Sequence, residues 1–163
     1  MAIYKYKLTI KENKNFVREY EIEDDSTLYD LHRYIQNDLD FDDAQLAVFF
    51  ISNAKWERIR SVPVFDLGNG SMDSVVLKDL ANDEKHYLLY VFDMYNNRQL
   101  HIEFMLETEE MRRTTYPRTV GGKGNPPNQF SESAYVEVID NDDDDISIFE
   151  SDELDMLSET DDV

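Results

Sequence analysis

Residues 26–51, STLYDLHRYIQNDLDFDDAQLAVFFI, decide the fold, because they predict one amphipathic helix followed by a turn and a strand. Apolar side chains recur in this stretch at steps of three and four, which places them on one face of a helix. These side chains are Leu28, Leu31, Ile35 and Leu39. A helix with one apolar face buries that face against another layer, so we expect a sheet to cover it.

Both ends of this helix are marked in the sequence. Thr27 and Asp30 predict a capping box, in which each side chain binds an otherwise unpaired backbone N–H of the first turn. At the far end, residues 37–43 are rich in Asn and Asp, which favour turns over further helix. The helix is therefore predicted at about residues 28–40.

The rest of the body, residues 1–130, is predicted to consist mainly of strands. Alternating apolar and polar residues, or a short continuous apolar run, are typical of strands. Such stretches occur at 3–10, 16–22, 45–51, 55–60, 86–93 and 99–106. The apolar run at 86–93 predicts a strand buried on both faces, and Asn96 and Asn97 predict the turn that joins it to 99–106.

Three segments are predicted to lie outside these strands. Residues 11–15 form a polar turn, residues 61–71 a loop, and residues 115–130 a closing loop with three glycines and three prolines. Residues 75–80 fit either a helical turn or a short extended piece. The predicted fold class is α+β, with a largely antiparallel or mixed sheet and one principal packing helix.

Composition limits the classes of protein to consider. The 163 residues include 41% hydrophobic and 12% aromatic residues, which is enough for one domain with a real core. There is no cysteine, which excludes disulfides, thiolate zinc sites and cysteine nucleophiles. No apolar run approaches the 18 or so residues of a membrane-spanning helix, so we expect a cytoplasmic protein that does not associate with membranes.

Negative charge is concentrated at the C-terminal end. The chain has a net charge of −20, of which residues 131–163 contribute −14, with no basic residue. Such a segment repels itself and buries little apolar surface, so we predict a mostly disordered acidic tail. Its mixture of acidic and apolar residues also fits a segment that orders on a partner, and residues 134–140 fit an added edge strand.

Three stretches of the body resemble a known family. They are residues 26–49, STLYDLHRYIQNDLDFDDAQLAVF, residues 90–107, YVFDMYNNRQLHIEFMLE, and residues 116–127, YPRTVGGKGNPP. Together they resemble the family typified by the third open reading frame of an Ri plasmid, some of whose members carry a TnpR-like name linked to insertion elements. The resemblance spans about residues 1–130 and implies a bacterial or archaeal α+β domain associated with mobile elements.

The chain departs from the common pattern of this family at two places. Common members are acidic in the turn after Asp93 and in the closing segment, where this chain has amides at Asn96, Asn97, Asn128 and Gln129. Any chemistry that those carboxylates perform elsewhere is therefore in doubt here. The sequence also has no serine-recombinase signature that would support the TnpR-like name.

The histidines are the first candidates for chemistry. His32 lies at the edge of the apolar helix face, where a partly buried structural role is the default interpretation. His86 and His101 lie near the ends of two strands that are expected to pair, so they could approach one another. The three histidines have no metal-binding spacing, and we predict neither a metal site nor a cofactor.

A basic stretch is the second candidate. Arg112, Arg113, Arg118 and Lys123 surround Tyr116 and form the one local concentration of positive charge. Such a stretch favours nucleic-acid binding, but the overall negative charge opposes it. One hypothesis is that the acidic tail folds back on these residues and competes with an anionic partner.

We therefore predict a non-catalytic interaction module whose partners are proteins, some of them basic. The alternatives are a nucleic-acid-binding protein autoinhibited by its tail, and an enzyme of unknown reaction. An enzyme is expected to have a pocket lined by polar groups from His32, the hairpin and the closing loop, whereas an interaction module exposes an apolar or edge surface. The candidate surface comprises His32, Asp93, His101, Arg112, Arg113, Tyr116, Arg118 and Lys123.

Overall fold

A computed structural model describes residues 1–68, 70–80 and 86–130. Met1–Gln129 form one compact unit; of the second, Phe130–Val163, only Phe130 is described, so the predicted acidic tail lies outside the described residues. The elements are β1 (Ala2–Ile10), β2 (Asn13–Glu23), α1 (Leu28–Asp38), β3 (Val48–Ser52), β4 (Arg58–Pro63), a 3-10 turn (Met72–Ser74), α2 (Leu77–Leu80), β5 (Tyr87–Asp93), β6 (Arg98–Glu109) and β7 (Arg118–Lys123).

The strands form a seven-stranded sheet in the order β4-β3-β5-β6-β1-β2-β7. Every pair of neighbouring strands is antiparallel, which decides between the antiparallel and mixed sheets that the sequence left open. The sheet dominates the fold, and α1 is its one long helix among the described residues. No helix in the described part of the chain is long and apolar enough to cross a membrane.

The helix α1 covers one face of the sheet, as its sequence predicts. Its capping box is present: Asp30 Oδ2 accepts from the Thr27 N–H at 2.9 Å, and Thr27 Oγ1 accepts from the Asp30 N–H at 3.1 Å. Leu28, Leu31 and Ile35 are fully buried in a core shared with the sheet. Each such side chain contributes about 1.5–3 kcal/mol by leaving water.

Strand β5 confirms the prediction of a strand buried on both faces. Leu88, Tyr90 and Phe92 point into the core beneath α1, while Leu89 and Val91 are also buried on the opposite face. Strand β6 pairs with β5 along the length of β5. The turn between the two strands includes Asn97 in a left-handed conformation.

The closing segment is the main correction to the sequence prediction. Residues 115–130 do not form only a loop, because β7 pairs with β2 at the edge of the sheet. A Cβ atom on Gly122 would lie 2.7 Å from the Val17 carbonyl oxygen, and one on Gly124 would lie 2.2 Å from that of Asn15. The glycines that predicted a loop therefore allow close approach of two backbones.

Smaller corrections concern other boundaries. The turn predicted at 11–15 is shorter, since β2 begins at Asn13. Strand β4 continues to Pro63, which the sequence placed in a loop, and a proline is tolerated at the end of an edge strand because it lacks only a donor. The segment 75–80 contains both forms considered: Val76 bridges Thr27, and α2 follows as one helical turn.

Candidate functional site

A cavity of about 510 Å³ opens beside α1 and is the candidate functional site. Its walls come from α1, from the segment between α1 and β3, from the loop after β4 and from the 3-10 turn. The lining residues are Tyr29, His32, Arg33, Asp43, Ala44, Gln45, Leu46, Val64, Phe65 and Asp73. A cavity of this size accommodates a small molecule or one large side chain of a partner.

His32 forms the buried part of this lining. It lies on α1 with only 5% of its surface exposed, and its Nδ1 is 2.8 Å from the hydroxyl oxygen of Tyr90 on β5. Burial, assisted by the positive charge of Arg33, lowers the pKa of the imidazole to about 4. His32 is therefore neutral near pH 7 and joins the helix to the sheet.

Two large apolar residues of the lining, Leu46 from the segment between α1 and β3 and Phe65 from the loop after β4, are called the apolar wall. Leu46 is 60% exposed and Phe65 is 69% exposed, although both are large and apolar. Tyr29 is partly exposed on α1, and its ring centroid lies 5.7 Å from that of His32. An exposed apolar wall around a cavity is typical of a surface that another molecule covers.

Charged groups complete the rim. Arg33 pairs with Asp43 at 3.7 Å, and the Asp73 carboxylate accepts a hydrogen bond of 2.5 Å from the Ser71 hydroxyl. Among the described residues, the lining has no serine, threonine or lysine, and its two carboxylates, Asp43 and Asp73, are engaged by Arg33 and Ser71. In the described part of the chain, no three His, Asp or Glu side chains are grouped in a way that could hold a metal ion.

Asp93 lies elsewhere, in a polar network at the β5–β6 turn. Arg98 donates to Asp93 Oδ2 at 2.9 Å and to the Gln129 carbonyl oxygen at 3.0 Å, while Asn96 donates its side-chain N–H to Asp93. Burial works to raise the pKa of the Asp93 carboxyl, but the hydrogen bonds from Arg98 and Asn96 outweigh it and lower that pKa. The network links the hairpin to the closing segment.

The structure also gives a physical reason for the amides at Asn96 and Gln129. The Gln129 side chain accepts from the Asp42 N–H at 2.6 Å and donates to the Asp42 carbonyl oxygen at 3.1 Å. A carboxylate at position 129 could not donate, and one at position 96 would repel Asp93. The amides at Asn96 and Gln129 therefore serve the local structure.

The two strand histidines do not meet. His101 pairs with Leu89 and places its ring against Trp56, with centroids 4.6 Å apart. His86 lies beside Phe104, whose N–H donates to the His86 carbonyl oxygen. Positions 101 and 104 on one strand project to opposite faces of the sheet, so the two rings are separated by it. Burial lowers the pKa of His101, although Glu12 opposes this.

The basic stretch does not form one cluster. Arg112 and Arg113 occupy the turn after β6, whereas Arg118 binds Glu21 at 2.8 Å and stacks on Tyr116. Lys123 is at the other end of β7. Its partner on β2 is four residues from that of Arg118, a separation of about 13 Å along the strand.

Of the eight candidate residues, only His32 lines the cavity. The polar groups of the hairpin and the closing segment meet each other, but they meet in the Asp93 network and not beside His32.

The sequence itself relates the chain to known proteins. The family model described as plasmid pRiA4b ORF-3-like protein matches residues 2–154. The chain belongs to this family. The resemblance drawn from three stretches of the ORF-3-like sequence is thus confirmed, and the match continues past residue 130, where the resemblance was expected to end.

The fold of this ORF-3-like chain also occurs in a solved structure. It is similar to the crystal structure of MM3350, a protein of unknown function from Methanosarcina mazei Go1, with a TM-score of 0.65 and 22% sequence identity. The similarity covers 77% of this chain and 71% of that one. At this identity the likeness concerns the fold alone. None of the curated proteins matches the chain.

The sequence pattern does not predict the apolar wall of the ORF-3-like cavity. The pattern predicts a strand at Leu46 and a loop at Phe65. The available signal was a large apolar residue beside charged or polar ones, at Phe65-Asp66 and Gln45-Leu46. The partner of His32 also had no local signal, because Tyr90 is 58 residues away in the sequence.

Proposed function

We propose that this protein is a non-catalytic protein-binding module, and that the cavity beside α1 is its binding site. The observation that carries the proposal is the exposure of Leu46 and Phe65 in the lining of this cavity. Covering these side chains stabilises a complex by about 25 cal/mol for each Å² of apolar surface removed from water. Aromatic residues such as phenylalanine are enriched in protein interfaces relative to the rest of the surface.

The chemistry of the lining favours binding over catalysis. Arg33 and Asp43 pair with each other, and Asp73 accepts from Ser71. His32 has one ring nitrogen engaged by Tyr90 and a pKa far below neutral pH, which makes it a poor general base. These groups suit the orientation of a bound segment.

Charge favours a neutral or basic partner. The lining has one ion pair without net charge, Arg33 with Asp43, and one further carboxylate, Asp73, so its net charge is negative. Residues 1–130 also carry a net charge of −6. An anionic ligand such as nucleic acid would be repelled at this cavity, whereas a basic protein segment would be attracted.

Affinity capture from the native host tests the proposal, followed by binding measurements with the purified partner. Leu46→Asp and Phe65→Asp should each weaken that binding at least tenfold, because a charge on the apolar wall must be desolvated. Tyr95→Asp is the matched control, since Tyr95 is 90% exposed on the β5–β6 turn. Equal affinity of the wild type and the three variants for the partner would contradict the proposal.

A nucleic-acid-binding function is the second candidate. Arg112 and Arg113 are both exposed at one turn, which favours it. The acidic tail would then act as a competitor for these residues. The test compares DNA and RNA binding by the wild type and by a full-length variant in which Asp142, Asp143, Asp144 and Asp145 are replaced by Asn. The variant should bind DNA or RNA more tightly than the wild type at low salt. Absence of binding by both proteins would reject this candidate.

A further inference from the structure

The hydrogen bond between His32 and Tyr90 fixes the position of a proton. Tyr90 is 1% exposed, and among the described residues its hydroxyl is paired with His32 Nδ1 alone. If Nδ1 carried the hydrogen and donated it, the Tyr90 hydroxyl hydrogen would be left buried without an acceptor. A buried hydroxyl hydrogen without an acceptor keeps its full desolvation penalty, so that arrangement is unfavourable. The Tyr90 hydroxyl therefore donates, and Nδ1 accepts.

The tautomer of His32 follows from this assignment. A neutral imidazole carries one hydrogen, so a ring that accepts at Nδ1 carries its hydrogen on Nε2. His32 lines the cavity while its Nδ1 is engaged inside the core, so Nε2 is the ring nitrogen left for the cavity. The buried end of the cavity thus presents a neutral N–H donor beside an apolar wall.

We infer that this N–H group recognises the ligand by a hydrogen bond: His32 Nε2–H donates to a backbone carbonyl of a bound peptide segment. An apolar side chain of the same peptide packs against Leu46 and Phe65. The inference rests on the proposed function and names the chemistry of its partner. A peptide fits because it carries a strong neutral acceptor next to each side chain. His32 is a ligand-binding residue here and performs no reaction.

The other groups of the cavity exclude competing ligands. Arg33 and Asp43 form a pair with no net charge, so the Asp73 carboxylate sets the net charge of the lining and disfavours phosphates and carboxylates. A purely apolar ligand would leave the buried N–H without an acceptor. A basic residue next to the apolar side chain of the peptide would add attraction at the rim.

The tautomer is tested first, without any ligand. Nitrogen-15 NMR distinguishes a ring nitrogen that carries hydrogen from one that does not, and the chain has three histidines, so His32→Gln identifies the His32 signals. We expect hydrogen on Nε2 near pH 7. Hydrogen on Nδ1 in the wild-type protein would overturn the inference regardless of any binding result.

Ligand recognition is tested with two probes that share an indole ring. N-acetyltryptophanamide carries two carbonyl groups on the side chain of this ring, whereas 3-ethylindole has an ethyl group and no carbonyl. The first probe should shift the His32 Nε2 signal and bind about fivefold more tightly than the second, the effect of one hydrogen bond. Equal affinities, or no response of His32 to the first probe, would overturn the inference.

Two substitutions separate the donor from the shape of the side chain. His32→Gln places an amide N–H near the position of Nε2 and should keep binding of N-acetyltryptophanamide within about twofold. His32→Leu removes the donor and should weaken it about fivefold. Unchanged binding by His32→Leu would overturn the inference, while loss of partner capture by Leu46→Asp would still support the proposed function.

Discussion

Two buried histidines of this protein have the same kind of partner but different surroundings. His32 and His86 are each 5% exposed, and each is bonded to the hydroxyl of a buried tyrosine, Tyr90 at 2.8 Å and Tyr6 at 2.5 Å. His32 lines a cavity with exposed neighbours. His86 lies among aromatic rings, stacked on Phe104 with centroids 5.1 Å apart.

The difference separates a binding role from a structural one. The second nitrogen of His32 lies on a ring that lines the cavity, so it can serve a ligand. The second nitrogen of His86, Nδ1, is buried and has no hydrogen-bond partner among the described residues. A histidine–tyrosine bond therefore does not identify a functional site by itself; access to the other ring nitrogen does.

The largest expected contrast concerns the neighbours of the two rings. Phe104→Ala removes a buried ring next to His86 and should lower the free energy of unfolding by about 3–5 kcal/mol. Phe65→Ala, beside the His32 cavity, should change it by less than about 0.5 kcal/mol, because that ring is 69% exposed. Urea unfolding measures both, and similar losses would mean that the cavity wall is part of the core.

The next contrast concerns the stability of the fold at acidic pH. Burial, with Arg33 adding to it at His32, lowers the pKa of both rings to about 4 in the folded protein, against about 6.5 in the unfolded chain. The neutral rings thus stabilise the fold above pH 6.5, and that stability is lost as pH falls from 6.5 to 4. Each ring contributes up to about 3 kcal/mol.

His32→Gln and His86→Gln should each flatten the pH dependence of unfolding by that amount in this window. The measurement is urea unfolding of the three proteins at pH 7, 5.5 and 4. A slope unchanged by either substitution would show that its histidine is not held neutral. His101→Gln is the comparison variant, since its ring is less buried.

The smallest contrast concerns the tyrosine hydroxyls. Tyr6→Phe leaves His86 with neither nitrogen bonded among the described residues and should cost about 2 kcal/mol. Tyr90→Phe should cost about 1 kcal/mol, because it leaves Nδ1 of His32 unpaired while the other nitrogen belongs to a ring that lines the cavity. Urea unfolding at pH 7 measures the loss of free energy of unfolding in both variants. Equal losses, or a larger loss in Tyr90→Phe, would contradict the distinction between the two rings.

The elements with a local repeat were predictable from the sequence. The helix α1 follows from apolar spacing and the Thr27–Asp30 capping box, and β1 and β5 follow from alternation and a continuous apolar run. Strand β7 was not predictable. Its glycines serve close contact with β2, and no local pattern distinguishes that requirement from the flexibility of a loop.

The candidate site depends on contacts between distant parts of the chain. The position of His32 on the helix makes it a candidate from sequence alone. Its proposed role depends on the hydrogen bond to Tyr90 and on the cavity that it lines together with Leu46 and Phe65. The basic stretch looked continuous in sequence, yet pairing with β2 places Arg118 and Lys123 far apart.

By itself, the sequence determined the family, the helix with its cap, most strands and the accumulation of charge beyond residue 130, because periodicity, capping and composition act over a few residues. Only the tertiary structure decided the strand order, the role of the glycines, the tautomer of His32 and the cavity beside it. These depend on which surfaces meet across the sheet, and burial and hydrogen bonding between remote residues leave no mark on local spacing.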